Sequence, residues 1–178
     1  MSKVILVIGP VRCGKSEWAE HLAMESHKAV VYVATAKEDS TDQQWQLRIQ
    51  QHKQRRPPDW VTLEVPCALS ATLASANSNT CILVDSLGTW VANLLEQDEQ
   101  AWQITVQEFL DTVKLITADV IFVAEETGWG VVPAYSIGIS FRDRLGSLIR
   151  QLGEISGTVY LVTGGHVLNL SLYGLPLP

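Results

Sequence analysis

Eight consecutive residues, Gly9-Pro10-Val11-Arg12-Cys13-Gly14-Lys15-Ser16, have the types and spacing of a phosphate-binding loop, G-x-x-x-x-G-K-[ST]. Such a loop captures a polyphosphate. Its backbone N–H groups converge where a helix begins, and unpaired donors together with the helix macrodipole favour negative charge there. Lys15 then reaches the β- and γ-phosphates, and the Ser16 hydroxyl ligates Mg2+. Both flanks agree. Residues 4–8 form an apolar, β-branched run that reads as a buried strand, and residues 17–24 place Trp18, Leu22 and their alanine neighbours at helical spacing. Strand, glycine loop and helix in that order predict a nucleoside polyphosphate site rather than an ordinary glycine turn. Cys13, inside the loop, reads as a small space-filling side chain.

Other residues could complete the chemistry. Asp85 closes the apolar run 81–84, the usual context of the acid that holds Mg2+ beside the loop's serine. An aspartate there can equally cap the next helix, and both readings stand. Glu125 and Glu126 are the runner-up acids; adjacent strand residues point to opposite faces, so at most one faces the site. Residues 48–57 carry Arg48, Lys53, Arg55 and Arg56 around His52. On a helix, Trp45, Arg48, His52 and Arg55 share a face. Neighbouring cations keep an imidazole neutral and nucleophilic, and Lys53, Arg55 and Arg56 put positive charge where pyrophosphate would form. The plainer alternative is a solvated basic helix. His21, His27 and His166 read as structural.

The elements that must position these groups follow from pattern. Strands are expected at residues 29–34, 80–85, 119–124 and 157–162, with a short extra strand at 60–64. Helices are expected at 15–26, 42–54, 86–95, 99–114 and 141–153, and Thr41 with Gln44 has capping-box spacing. The alternation predicts an α/β fold with a mostly parallel sheet and helices on both faces. Ligands of such sheets sit beyond the carboxyl ends of the strands, which gathers Ala34-Thr35, Asp85-Ser86, Glu125-Glu126 and Thr163-Gly164-Gly165 around the loop. The apolar tail, residues 169–178, suggests a partner surface.

Composition sets the limits. A chain of 178 residues, 47% apolar and 18% charged, fits one globular domain spanning residues 1–178. Net charge of −6 argues against a nucleic-acid backbone binder. Cys13, Cys67 and Cys81 lack metal-ligand spacing, and their odd number suits a reducing compartment. One lysine and a five-residue apolar run precede the loop, too short for a signal peptide. No window approaches the ~18 apolar residues of a membrane span. A cytoplasmic protein is expected.

Taken together, these motifs resemble the bifunctional adenosylcobinamide kinase/adenosylcobinamide-phosphate guanylyltransferase family of cobalamin biosynthesis. The resemblance runs through the loop, Tyr32-Val33-Ala34-Thr35, Arg48-Ile49-x-x-His52-Lys53-x-x-Arg56-Pro57 with Trp60, and Asp85-Ser86-Leu87-x-Thr89-Trp90-Val91-x-Asn93-Leu94. It continues through Glu126-x-Gly128-x-Gly130-Val131-Val132-Pro133 and Phe141-Arg142-Asp143-x-x-Gly146. It implies a P-loop, RecA-like fold and a homotrimer. It also implies two reactions: phosphorylation of the aminopropanol hydroxyl of adenosylcobinamide by ATP or GTP, then GMP transfer from GTP through a guanylylated His52, giving adenosyl-GDP-cobinamide. Nucleotide contacts carry over to the 9–16 loop, Ala34, Thr35, Ala36, Glu64 and Asp85. The chain departs from the family's usual residues at Pro10, Val11, Cys13, Ala134, Tyr135, Ile149 and Arg150, and the last four are expected to act on the corrinoid side. Two readings compete: an unrelated P-loop small-molecule kinase, which leaves His52 without a task, and a non-catalytic GTP-binding regulator.

Overall fold

A computed structural model of the chain describes residues 2–37, 56–130 and 132–177. Among the described residues, seven strands form one sheet: β1 (Val4–Gly9), β2 (Ala29–Ala34), β3 (Val61–Glu64), β4 (Thr80–Asp85), β5 (Asp119–Glu125), β6 (Thr158–Thr163) and β7 (His166–Asn169). Their order is β3-β2-β4-β5-β1-β6-β7, and every pair is parallel except β6 with β7. Described helices are α1 (Lys15–Glu25), α2 (Leu69–Ala74), α3 (Leu87–Asn93), α4 (Glu99–Leu115), α5 (Ser136–Ile155) and α6 (Leu170–Tyr173).

The strands read as continuous apolar runs because both sheet faces are covered. Alternate residues sort into two cores. Val7, Tyr32, Leu83, Ile121 and Val123 face α1 with Ala19 and Ala23. Leu6, Ile8, Ile82, Val84, Val120 and Phe122 face the other way, against Leu69, Trp90, Phe109, Leu145 and Leu148. The mostly parallel sheet with helices on both faces is therefore the arrangement the sequence predicts.

Three differences have physical causes. Thr163-Gly164-Gly165-His166 is not an open strand end: Gly164 and Gly165 have φ of 58° and 76° and turn the chain into the antiparallel edge strand β7. Paired positive φ values are what a tight two-residue hairpin requires. α5 begins at Ser136, not residue 141, because its first turn is written in Ile and Gly, poor helix signals. α2, six residues long, is too short to reveal its period, yet Leu69 and Leu73, four apart, are fully buried. The expected helix at 42–54 lies outside the described residues. Among the described residues, no helix is long and apolar enough to cross a membrane.

Candidate active site

Strand register brings the chemistry to one edge. Gly9 pairs with Glu125, Val123 with Asp85, Asp85 with Ala34, and Ala34 with Glu64. Four strand spacings of about 4.8 Å make a ledge about 19 Å long. The loop residues 10–14 bridge from β1 to α1 at one end of it.

Each loop residue has a local reason. A Cβ on Gly9 would collide with the Val162 carbonyl oxygen and lie 2.6 Å from Cys13 Sγ. Cys13 thus occupies the space beneath Gly9, as a filling side chain. Gly14 caps the start of α1 at φ 94°, and Arg12 sits at φ 58°. Pro10 is half-buried, whereas Val11 is exposed. Lys15 is only 6% exposed, and its Nζ donates to the Pro10 carbonyl at 3.3 Å. A phosphate oxygen can replace that long bond. Ser16, half-buried, lies in the first turn of α1.

Across the ledge, Asp85 does not cap α3. Ser86 does: its side chain accepts from the Thr89 N–H. Asp85 Oδ2 instead accepts from the Tyr32 hydroxyl at 2.8 Å. Burial and the nearby Asp85 charge push the Tyr32 phenol far above its ordinary range, so it keeps the proton that it donates to Asp85. A hydroxyl and a carboxylate are hard oxygen donors suited to Mg2+, which takes one or two protein groups and completes its shell with phosphates and water. Among the described residues, no group of three or more His, Cys, Asp or Glu side chains offers an all-protein cage.

The segment after β2 is tied to the same corner. Thr35 is fully buried; its hydroxyl donates to the Ser86 carbonyl at 2.7 Å and accepts the Ser86 N–H at 3.1 Å. Asn93 Nδ2 donates to the carbonyls of Thr35 and Pro66 at 2.7 and 2.9 Å. The Thr35 hydroxyl is thus committed to holding the β4–α3 junction. Ala34 gives its carbonyl to the Val65 N–H, Ala36 is half-buried, and Glu64 is exposed at the end of β3.

Of the two strand-end glutamates, Glu125 turns to the site. Its carboxyl packs against Gly88, where no Cβ would fit, and Oε2 is buried without a hydrogen-bond partner. Burial raises its pKa above the ordinary 4.5, against the opposing pull of Lys15 and Ser86. A carboxyl with a raised native pKa stabilises the fold below its ordinary value and loses that contribution as pH rises through the native one. Without nucleotide, Glu125→Gln should therefore be more stable than the parent at neutral pH, the difference closing as pH falls through the raised native value toward 4.5. Thermal melts across pH check this; each kcal/mol of difference shifts Tm by about 2–4 °C. Equal melts at neutral pH would contradict it.

Arg56 is placed by an aromatic ring: its Cζ lies 3.3 Å from the Tyr32 ring centroid, and Nη1 donates to Thr62 Oγ1 at 3.4 Å. Arg48, His52, Lys53 and Arg55 lie outside the described residues. The remaining departures separate. Tyr135 is 79% exposed at the start of α5, with Ala134 beside it. Ile149 is buried in the core, and Arg150 Nη1 pairs with Glu154 on the surface at 2.7 Å. They sit about 20 Å along the helix from Tyr135, which takes Ile149 and Arg150 away from the loop end of α5. Sequence reasoning missed Tyr32, Thr35's clamp and Glu125's seat on Gly88. A buried tyrosine two residues before a strand end was the available signal.

The chain has relatives of known family. Residues 5–170 match the family described as cobinamide kinase / cobinamide phosphate guanyltransferase. The chain is 40% identical over 174 residues to the bifunctional adenosylcobalamin biosynthesis protein CobP of Pseudomonas aeruginosa, covering 97% of this chain and 98% of that one. It is 34% identical over 177 residues to CobU of Escherichia coli, covering 91% and 96%. A solved structure from Pyrococcus horikoshii OT3, the study of PH0250, superposes with a TM-score of 0.57 at 8% identity, covering 94% of this chain and 85% of that one. That likeness concerns the fold alone.

Proposed function

The chain belongs to the cobinamide kinase/cobinamide phosphate guanyltransferase family, and on that premise we propose how its residues divide the two reactions. The enzyme phosphorylates cobinamide and transfers GMP from GTP to the resulting phosphate. The acceptor of the first step is the aminopropanol hydroxyl of adenosylcobinamide. Its oxygen attacks the γ-phosphorus of ATP or GTP, the bond to the β-phosphate oxygen breaks, and the nucleoside diphosphate leaves with the electron pair. Lys15 and the loop N–H groups hold the charge of that transfer. The observation that carries this reading is the buried Lys15, on a loop whose strand β1 is separated from Asp85's strand β4 by β5 alone.

Ser16 and Asp85 are the residues that would hold Mg2+. Bound there, the ion neutralises phosphate charge and orients the transferring group. Asp85→Asn keeps the side chain's size and removes its charge, so the Mg2+ concentration at half-maximal rate should rise several-fold for both reactions. An unchanged Mg2+ dependence would move the metal role to another acid.

In the second step, His52 is the nucleophile toward the α-phosphorus of GTP. Lys53 and Arg55 carry positive charge in the same short segment, and Ala34, Ala36 and Glu64 line the far end of the ledge for the nucleotide. Family membership also supports a homotrimer, which light scattering on the purified protein would test. The two activities are tested together by supplying adenosylcobinamide with GTP labelled at either the α- or the γ-phosphate. The corrinoid should first gain the γ-label, and the final product should carry both. A nucleotide that turns over equally well without cobinamide would favour a GTPase instead.

A further inference from the structure

We propose that Tyr32 is a positioning residue for the metal-binding acid, and that Arg56 acts through it. Three side chains stack outward from the ledge: Asp85 Oδ2 accepts from the Tyr32 hydroxyl at 2.8 Å, and the Arg56 guanidinium covers the Tyr32 ring at 3.3 Å. Tyr32 and Asp85 stand on neighbouring parallel strands, β2 and β4, with Tyr32 opposite Leu83. Both therefore point to the α1 face, and the phenol spans the two-residue offset along the strand. The ring is 2% exposed, so packing against α1 holds it in one place.

The chemistry of this stack is directional. An O–H to carboxylate bond is charge-assisted and fixes the plane of the acid it serves. A cation over the ring face draws on the same π electrons and makes the phenol a stronger donor. Arg56 is thus spent on Tyr32, with Thr62 Oγ1 as a second anchor. Its charge reaches the nucleotide by keeping Asp85 in a fixed orientation. Outer partners of this kind change metal affinity by about 10–100-fold when removed.

This inference rests on the assignment of Asp85 to the metal, and the test separates the two. Mn2+ binding is followed by electron paramagnetic resonance on the protein saturated with the α,β-methylene analogue of GTP, which cannot be cleaved at the α-phosphorus. Tyr32→Phe keeps the ring and should weaken Mn2+ binding about tenfold, the lower end of the range for outer partners. Affinity for the analogue without metal should be unchanged. Asp85→Asn should weaken Mn2+ binding by at least as much, and the double variant no further, because Tyr32 works only through Asp85. Arg56→Met should reproduce a fraction of the Tyr32→Phe loss and add nothing to it. If Asp85→Asn weakens Mn2+ binding but Tyr32→Phe does not, or if the two losses add, the positioning role is wrong while the metal role stands. If Asp85→Asn leaves Mn2+ binding intact, the metal assignment itself fails. Weaker metal-free binding of the analogue by Arg56→Met would return Arg56 to direct phosphate contact and overturn its part in the stack.

Discussion

Lys15→Ala is expected to abolish phosphoryl and guanylyl transfer together while the protein stays folded. Lys15 is nearly enclosed, and its ammonium rests on the Pro10 carbonyl at the mouth of the loop. In so shielded a place a fixed charge acts far more strongly on a developing phosphate charge than it would in water. A loss of about 10³-fold or more in kcat/KM, roughly 4 kcal/mol, is the expected scale for both reactions. The variant also carries a structural signature. Lys15 is the largest influence opposing burial on the Glu125 carboxyl. Its removal raises that pKa further, so Lys15→Ala should lose stability as pH climbs from acid to neutral, and Lys15→Ala with Glu125→Gln should recover it. Product analysis of both half-reactions and melts across pH check the two parts. Full guanylylation by a folded Lys15→Ala protein would sink the loop assignment.

That coupling shows where the sequence stops being legible. The loop, its strand and its helix follow from local spacing, because a glycine-rich turn that feeds a helix must carry its signature within eight residues. The sheet follows too, since strands covered on both faces must be apolar throughout, as residues 120–124 are. What the sequence could not supply was partnership across strands. Nothing local says that Tyr32 reaches Asp85, 53 residues away, or that Asn93 closes on Thr35, 58 residues away. Glu125 and Glu126 are equivalent as letters; only the seat on Gly88 distinguishes them. The hairpin at Gly164-Gly165 was legible from its paired glycines, but a strand-end ligand rule applied too widely concealed it. For Ile149 and Arg150 a change of residue type carries no depth; one is core and the other a surface ion pair.

The second large effect concerns His52. His52→Ala should lose GMP transfer by at least about 10³-fold, as removal of a covalent nucleophile does, and yet keep cobinamide phosphorylation. The reasoning is chemical. In the proposed route the imidazole nitrogen attacks the α-phosphorus, the bond to the bridging oxygen breaks, and pyrophosphate departs with the electron pair, leaving a phosphoramidate. An oxygen of cobinamide phosphate then attacks the same phosphorus, and the imidazole leaves. Imidazole suits both halves, because it is nucleophilic when neutral and a good leaving group when protonated. On the proposed assignment phosphoryl transfer needs none of this and draws on Lys15, Ser16 and Asp85. The parent incubated with α-labelled GTP should therefore acquire label that resists base and is lost in mild acid, and His52→Ala should acquire none. Lys53 is the competing nucleophile next in the chain, and its adduct also carries a nitrogen–phosphorus bond, so peptide mapping is the deciding measurement. Label on His52 with retained kinase activity in His52→Ala divides the enzyme into two chemistries that share one nucleotide loop. Label on Lys53, or undiminished GMP transfer by His52→Ala, would leave the basic segment as a binding surface only.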